Sequence, residues 1–235
     1  MSPFIGEFIG TMLLIIMGDG VVANVVLNKT KGNNGGWIVI TFGWALAVFL
    51  GVYVSTSLGG SGHLNPAVTI AMTAFDNFDA ALLPTYILAQ FGGAITGAII
   101  VWLAYKQHFD STDDKDGKLA VFCNAQAIRG YGYNLITEII GTFVLVFGAL
   151  TMSKPATTLG TLDALPVGLL ILGIGLSLGG PTGYAINPAR DLGPRIAHFI
   201  LPIKNKRDSD WGYSWIPVIG PIIGGLIAAY LFKLI

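Results

Sequence analysis

The tripeptide Asn-Pro-Ala occurs twice in the chain, once as Asn65, Pro66 and Ala67 and once as Asn187, Pro188 and Ala189. Asparagine is a favoured helix N-cap and proline is best tolerated at the first helical position, so each tripeptide predicts the start of a helix. The apolar stretch after each one is short, because about ten residues span roughly 15 Å, half of a bilayer core. If two such helices enter a membrane from opposite faces, their positive N-termini meet in the middle. That arrangement repels cations and leaves the asparagine amides free to donate to a passing molecule.

Each tripeptide is preceded by a short loop that we expect to be non-helical. At membrane depth, non-helical backbone is tolerated where it lines a water-filled path. A row of carbonyl acceptors opposite apolar side chains suits a small uncharged compound that carries hydroxyl groups. The residues predicted to present these carbonyls are Ser61, Gly62, His63 and Leu64 in the first loop and Gly183, Tyr184, Ala185 and Ile186 in the second.

Three charged side chains, Glu7, Glu138 and Arg190, lie in or beside apolar segments. A charge at membrane depth is costly and must face water or a partner, and Arg190 offers a fork of donors to a passing hydroxyl. No nucleophile or set of metal ligands accompanies the two glutamates in the sequence, so the chain is not expected to be an enzyme, and no cofactor or metal is predicted. Asp19, within the first apolar segment, has no predicted role.

The composition is that of an integral membrane protein. Of the 235 residues, 53% are hydrophobic and 11% are charged, against about 25% charged residues in soluble domains. The 13 basic and 13 acidic residues balance, which gives no indication of a nucleic-acid partner. The single cysteine, Cys123, excludes an intrachain disulfide and is predicted to be a bystander thiol in a polar loop. Six segments are apolar and long enough to cross a bilayer, namely 4–27, 37–58, 81–105, 133–152, 163–179 and 213–234.

The two halves of the chain are repeats of each other. Residues 7–11 (Glu-Phe-Ile-Gly-Thr) match residues 138–142 (Glu-Ile-Ile-Gly-Thr), 131 positions later. Because each half contains three predicted spans, the second half must be inserted upside down, and the functional site is expected where the discontinuous helices meet near the midplane. The predicted organisation is a single domain, 1–235, made of two inverted repeats, approximately 1–107 and 131–235, joined by a polar loop, 108–130.

The sequence resembles the major intrinsic protein family, the aquaporins and aquaglyceroporins, over essentially its whole length. The motifs that carry the resemblance are both Asn-Pro-Ala boxes, Arg190, the repeated glutamates Glu7 and Glu138, Gln90-x-x-Gly93, and Gly220-Pro221-x-x-Gly224. The resemblance implies an all-α membrane protein with six transmembrane helices plus two re-entrant half-helices in an inverted repeat. It also implies a lipid bilayer as the surroundings, a pore in each chain and assembly as a homotetramer.

The resemblance further implies supporting roles for four charged residues. Glu7 and Glu138 are implied to accept hydrogen bonds from the re-entrant loops of their own repeats. Asp191 is implied to hold the second loop, together with Arg195.

The resemblance implies cytoplasmic termini in the plasma membrane of a bacterium. The positive-inside rule favours the opposite orientation, because the loops after the first, third and fifth spans hold most of the basic residues. These are Lys29, Lys31, Lys106, Lys115, Lys118, Arg129, Lys204, Lys206 and Arg207.

A narrow selectivity filter is implied at Trp44, Gly175, Tyr184 and Arg190. In water-selective members the position of Gly175 is usually histidine, which narrows the pore, whereas glycine leaves space into which an aromatic side chain from the loop can lean. Trp44 and Tyr184 would then form an apolar corner opposite the donors of Arg190, which suits a polyol. Tyr184 departs from the phenylalanine common in glycerol facilitators, and its hydroxyl makes the filter smaller or more polar.

The expected function is therefore a passive channel that conducts glycerol, water and other small uncharged solutes and excludes protons and ions. A water-selective channel is an alternative, and so is a facilitator of protonated small organic acids such as lactic acid. Dihydroxyacetone and urea are further candidate solutes. A carrier with alternating access is a separate class that the inverted repeat permits.

Overall fold

The computed structural model describes residues 2–75, 78–152 and 160–235, and in these ranges the chain is helical with no β-strand. Two short 3-10 turns, Ala80–Leu82 and Gly160–Ala164, precede the fourth and eighth α-helices. In chain order the α-helices are α1 (Pro3–Val26), α2 (Trp37–Ser57), α3 (Pro66–Ala74), α4 (Leu83–Ala104), α5 (Lys106–Ser111), α6 (Lys115–Ala120), α7 (Tyr131–Thr151), α8 (Leu165–Leu178), α9 (Pro188–Ile200) and α10 (Ile216–Leu234).

Five of the described helices, α1, α2, α4, α7 and α10, are long and apolar enough to cross a membrane. The segment predicted as the fifth span, 163–179, forms the shorter helix α8. Its 14 residues reach about 21 Å at 1.5 Å per residue, less than the roughly 30 Å of a bilayer core. Large apolar side chains are exposed on the outside of the long helices, as with Ile38 at 63% and Leu88 at 67% exposure. These features describe a multi-pass membrane protein.

The two predicted helix starts are confirmed. Helix α3 begins at Pro66 with Asn65 as its N-cap, and α9 begins at Pro188 with Asn187 as its N-cap. With 9 and 13 residues, both are half-helices. Helix α9 continues through Pro194, so it is longer than the ten residues expected.

Closely packed glycines join the helices of each half in the same way. A Cβ atom on Gly93 would lie 2.3 Å from the carbonyl oxygen of Phe8, and one on Gly224 would lie 2.3 Å from that of Ile139. Only glycine permits helix backbones to approach this closely. Since both residues of the second pair lie 131 positions after those of the first, α4 packs on α1 as α10 packs on α7.

The polar connection between the halves is more ordered than its composition indicated. It contains α5 and α6, which were not predicted, and five apolar side chains that are fully buried, Phe109, Leu119, Val121, Phe122 and Cys123. The side chain of Lys118 is also buried and donates to the carbonyl of Lys204 at 2.6 Å. Cys123 is therefore a core residue, and its burial raises the pKa of the thiol.

Candidate functional site

The two asparagine caps cross-link the two half-helices. The side-chain oxygen of Asn65 accepts from the Ala67 amide at 2.9 Å, and its nitrogen donates to the carbonyl of Ile186 at 2.8 Å. The oxygen of Asn187 accepts from the amides of Ala189 and Arg190, and its nitrogen donates to the carbonyl of Leu64 at 2.8 Å. Each amide nitrogen has two N–H groups, and these contacts use one of them. The asparagines are thus half engaged, where the sequence suggested that they are free.

The loops before the half-helices contain backbone conformations that L residues seldom adopt. The φ angle is +51° at Leu64, +42° at Tyr184 and +45° at Ile186. Each such residue costs about 1–3 kcal/mol and persists only where its surroundings hold it. The loops are therefore strained, and strong external partners are needed to maintain their shape.

Two buried glutamates supply those partners. Glu7 accepts hydrogen bonds from the amides of His63 and Leu64 at 3.0 and 2.8 Å, and from the side chains of Ser55 and Gln90. These bonds satisfy the carboxylate and direct the first loop, because a charged acceptor forms stronger hydrogen bonds than a neutral one.

Glu138 is bound in the same manner in the second half. It accepts from the amides of Ala185 and Ile186 at 3.0 and 2.8 Å and from the hydroxyl of Thr182 at 2.6 Å. Gln90, which donates to Glu7, has Pro221 at the corresponding position 131 residues later. A proline cannot donate a side-chain hydrogen bond, so among the described residues Glu138 has three donors and Glu7 has four.

The loops and half-helices enclose a cavity of about 490 Å³. Its lining includes Asn65, Asn187 and all the loop residues predicted to present carbonyls except Gly183. Gly183 instead donates its amide to the carbonyl of Gly179 at 2.7 Å and lies beside Asn124. Polar groups from both halves therefore face one continuous space inside a largely apolar molecule.

Apart from Asp163, the rest of the cavity wall is apolar, and it was not predicted. It includes Leu14, Val48, Val52, Val68, Leu145 and Ile171. Apolar residues spaced three or four apart, as in Val48 and Val52, are typical of helix packing as well. No feature of the sequence distinguishes an apolar residue that lines the cavity from one that packs between helices.

Three of the four predicted filter residues line this cavity, Trp44, Tyr184 and Arg190. The guanidinium carbon of Arg190 lies 4.0 Å from the centroid of the Trp44 ring, a cation–π contact. The Nη1 atom of Arg190 and the hydroxyl of Tyr184 are buried and have no hydrogen-bond partner within the described residues. The site thus combines two aromatic faces with donors that are not used by the protein itself.

Gly175, the fourth predicted filter residue, lies behind Tyr184 and outside the cavity lining. A Cβ atom on Gly175 would meet Cζ of Tyr184 at 2.9 Å and its Oη at 3.0 Å. The carbonyl of Gly175 accepts from the indole of Trp37 at 3.0 Å, and the Trp37 ring meets Tyr184 edge-on. Sequence reasoning missed Trp37, because an aromatic residue at the start of a span is typical of the membrane interface.

Asp191 and Arg195 form a fully buried ion pair beside the second loop. Arg195 donates to Asp191 and also to the backbone carbonyls of Asn124, Ser209 and Asp210. Asp191 accepts from the Asn124 amide at 2.7 Å. The pair therefore joins α9 to the connection between the halves and to the segment that follows α9, and Asn124 is a participant that the sequence did not indicate.

Comparison with known proteins agrees with this geometry. The family described as Major intrinsic protein matches residues 1–232. The chain is 60% identical to the "Probable glycerol uptake facilitator protein" of Thermotoga maritima, over 99% of each chain. It is 52% identical to "Glycerol uptake facilitator protein 3" of Lactiplantibacillus plantarum, over 98% of this chain and 95% of that one.

Among solved structures, the aquaglyceroporin from Plasmodium falciparum is similar to the chain with a TM-score of 0.85 and 32% identity. The similarity covers 99% of this chain and 98% of that one. The helices, the two re-entrant half-helices and the cavity between them are thus the aquaporin fold, and the chain belongs to the major intrinsic protein family.

Proposed function

We propose that the chain is a passive channel for glycerol, water and other small uncharged solutes. The observation that carries the proposal is the cavity that Trp44, Tyr184 and Arg190 line together with the two asparagines, Asn65 and Asn187. The relatives named as glycerol uptake facilitators, at 60% and 52% identity, support glycerol as the first solute to test.

The filter acts on a polyol through two kinds of contact. The carbon backbone of the solute lies against the rings of Trp44 and Tyr184, which exclude water from that side. Its hydroxyl groups accept from the guanidinium of Arg190 and donate to the loop carbonyls. An uncharged solute exchanges its water hydrogen bonds for these, at little net cost.

Ions are excluded in the same cavity, at the place where the two half-helices meet. The N-termini of α3 and α9 point their partial positive charges at the place where Asn65 and Asn187 meet. A cation meets this field in a medium of low dielectric constant, and a water molecule there is held by the free amide N–H groups. The chain of hydrogen bonds along which a proton could pass is interrupted at that point.

The two halves serve this function as inverted repeats within a single domain, approximately 1–107 and 131–235, joined by the connection 108–130. Matching glutamates at positions 7 and 138 and matching glycines at positions 93 and 224 support this division. Four chains form a homotetramer with one pore each. The exposed apolar side chains of α2, among them Ile38 at 63% and Leu46 at 52% exposure, suit burial against a neighbouring chain or lipid. Native mass spectrometry in detergent tests the tetramer.

We infer that the chain lies in the plasma membrane of a bacterium with its termini in the cytoplasm. Several of the basic loop residues that favour the opposite orientation have structural partners. Lys206 donates to three carbonyls at the C-terminus of α9, Lys118 donates to the carbonyl of Lys204, and Arg207 pairs with Asp116. A charge that compensates the protein's own carbonyls is a poor indicator of topology. Accessibility of a C-terminal tag to external protease tests the orientation.

Light scattering of proteoliposomes tests the transport function. Vesicles that contain the protein should shrink and then re-swell quickly in a glycerol gradient, and should shrink without re-swelling in an impermeant sugar. Fast shrinkage with re-swelling no faster than in empty vesicles would contradict glycerol transport and leave a water channel.

A further inference from the structure

Asp19 is a carboxylate in the middle of α1, and its side chain is 0% exposed. Neither of its oxygens has a hydrogen-bond partner within the described residues. A buried carboxylate without a partner is among the most costly arrangements in an apolar interior, and such residues in membrane helices usually serve function. The proposed transport path does not contain Asp19, because it is absent from the cavity lining.

The charged groups that act on Asp19 are Arg190 and Asp191, at the start of α9. Asp191 is already engaged by Arg195 and by the amide of Asn124. Arg190 has a buried Nη1 atom without a partner in the described part of the chain. Asp19 and Arg190 are therefore opposite charges, and within the described ranges both carry buried polar atoms without a hydrogen-bond partner.

Packing connects the two residues through Trp44. A Cβ atom on Gly18 would lie 2.2 Å from the Trp44 ring, so the backbone of α1 next to Asp19 touches the indole. Arg190 stacks on the same ring at 4.0 Å. The carboxylate thus lies behind the filter, on the helix that supports the ring against which the guanidinium rests.

We propose that Asp19 is a positioning residue that supplies the counter-charge of Arg190, an inference that rests on the proposed function. Coulomb attraction acts beyond hydrogen-bond distance and is strong where the dielectric constant is low. It holds the guanidinium against Trp44 and offsets the positive charge of the filter. A small anion is then not retained at Arg190, and neutral solutes reach its donors without competition.

The Asp19→Asn variant tests this, because it removes the charge with almost no change in volume. Thr11→Val is the matched control, since Thr11 is a buried residue of the same helix whose hydroxyl also lacks a partner among the described residues. Glycerol and water flux through proteoliposomes are measured in potassium nitrate and in potassium gluconate of equal concentration. Nitrate is the small anion, and gluconate controls for ionic strength.

We expect nitrate to slow both fluxes of Asp19→Asn by about fivefold or more, the lower range of coupling between interacting sites. Wild type, Thr11→Val and the charge-retaining Asp19→Glu should respond little. In Asp19→Asn combined with Arg190→Ala, the nitrate effect should vanish, because the cation that holds the anion is gone.

Equal fluxes of Asp19→Asn in nitrate and gluconate would overturn the proposal, whether or not thermal stability has fallen. Nitrate inhibition that persists after the removal of Arg190 would overturn it as well. Failure of the proposed function is distinguishable, because a wild type that passes water without glycerol contradicts glycerol transport, while the nitrate test on water flux still decides the role of Asp19.

Discussion

The ring of Tyr184 occupies the space that a side chain at Gly175 would fill. A Cβ atom at position 175 would lie 2.9 Å from Cζ of that ring and 2.9 Å from Cγ2 of Thr41. The width of the filter at this level is therefore set by two residues together, one on α8 without a side chain and one on the second loop with a large one.

Replacement of Gly175 by histidine should suppress glycerol flux while water flux is largely retained. The new side chain displaces Tyr184 towards Arg190, and overpacking of this kind costs about 1–3 kcal/mol. Added to the barrier for glycerol, this cost would slow glycerol flux by about 5- to 160-fold. Gly173→Ala is the control, because a Cβ atom on Gly173 meets no atom within 4 Å. Stopped-flow measurement of both fluxes checks the result, and equal loss of both would contradict the position assigned to Gly175.

Replacement of Glu7 by glutamine should destabilise the protein by about 2–4 kcal/mol. The amide replaces one acceptor oxygen by an NH2 group, which cannot accept a hydrogen bond from the donors that now surround the carboxylate. Glu138→Gln should cost somewhat less, since Glu138 has three donors. Thermal unfolding in detergent measures the difference. If both variants unfold at the same temperature as the wild type, the glutamates do not stabilise the strained loops.

Introduction of a carboxylate at Asn187 should admit cations. The Asn187→Asp side chain places a negative charge where two helix N-termini meet, and interactions with such termini are worth up to about 2 kcal/mol. Proton leak into vesicles that contain a pH-sensitive dye should rise about tenfold. Asn65→Asp should behave alike, because the two asparagines occupy reciprocal positions. An unchanged leak in a variant that still conducts water would show that the helix N-termini do not set the charge barrier.

Replacement of Arg195 by lysine should cost about 2 kcal/mol or more, because a single ammonium cannot donate to Asp191 and to three carbonyls in different directions. Arg129→Lys is the control. Its side chain is 52% exposed and pairs with Asp210 at 2.9 Å, so its replacement should cost less than about 1 kcal/mol. Equal unfolding temperatures for the two variants would contradict a structural role for the buried pair.

The thiol of Cys123 should resist alkylation in the folded protein. Burial raises its pKa, so at any pH below that value the reactive thiolate is scarcer than in an exposed cysteine. A maleimide should label the protein only after denaturation. Rapid labelling of folded protein at pH 8 would show that the connection between the halves is open.

The helix starts could be predicted because they follow from local rules, namely an asparagine cap and a proline in the first turn. Burial rules also indicate that Glu7 needs donors, although they do not identify Ser55 or Gln90. The ordered connection could not be predicted, because its charged composition is that of a solvated loop. Lys118 is buried there by a contact with Lys204, 86 positions away.

The filter was harder to predict than the asparagine pair. Its residues come from α2, α8, the second loop and the start of α9, and only Tyr184 and Arg190 have a fixed spacing from Asn187. That Gly175 accommodates Tyr184, and is itself held by Trp37, depends on how α2 packs on α8. No local pattern in the sequence contains that information.

The temperature dependence of glycerol re-swelling in proteoliposomes tests the central claim most directly. If the cavity between α3 and α9 is an open path, the activation energy should be well below that of glycerol crossing the same lipid without protein, and Gly175→His should bring it back towards that value. An activation energy equal to that of empty vesicles would contradict the claim that this chain forms a pore for polyols.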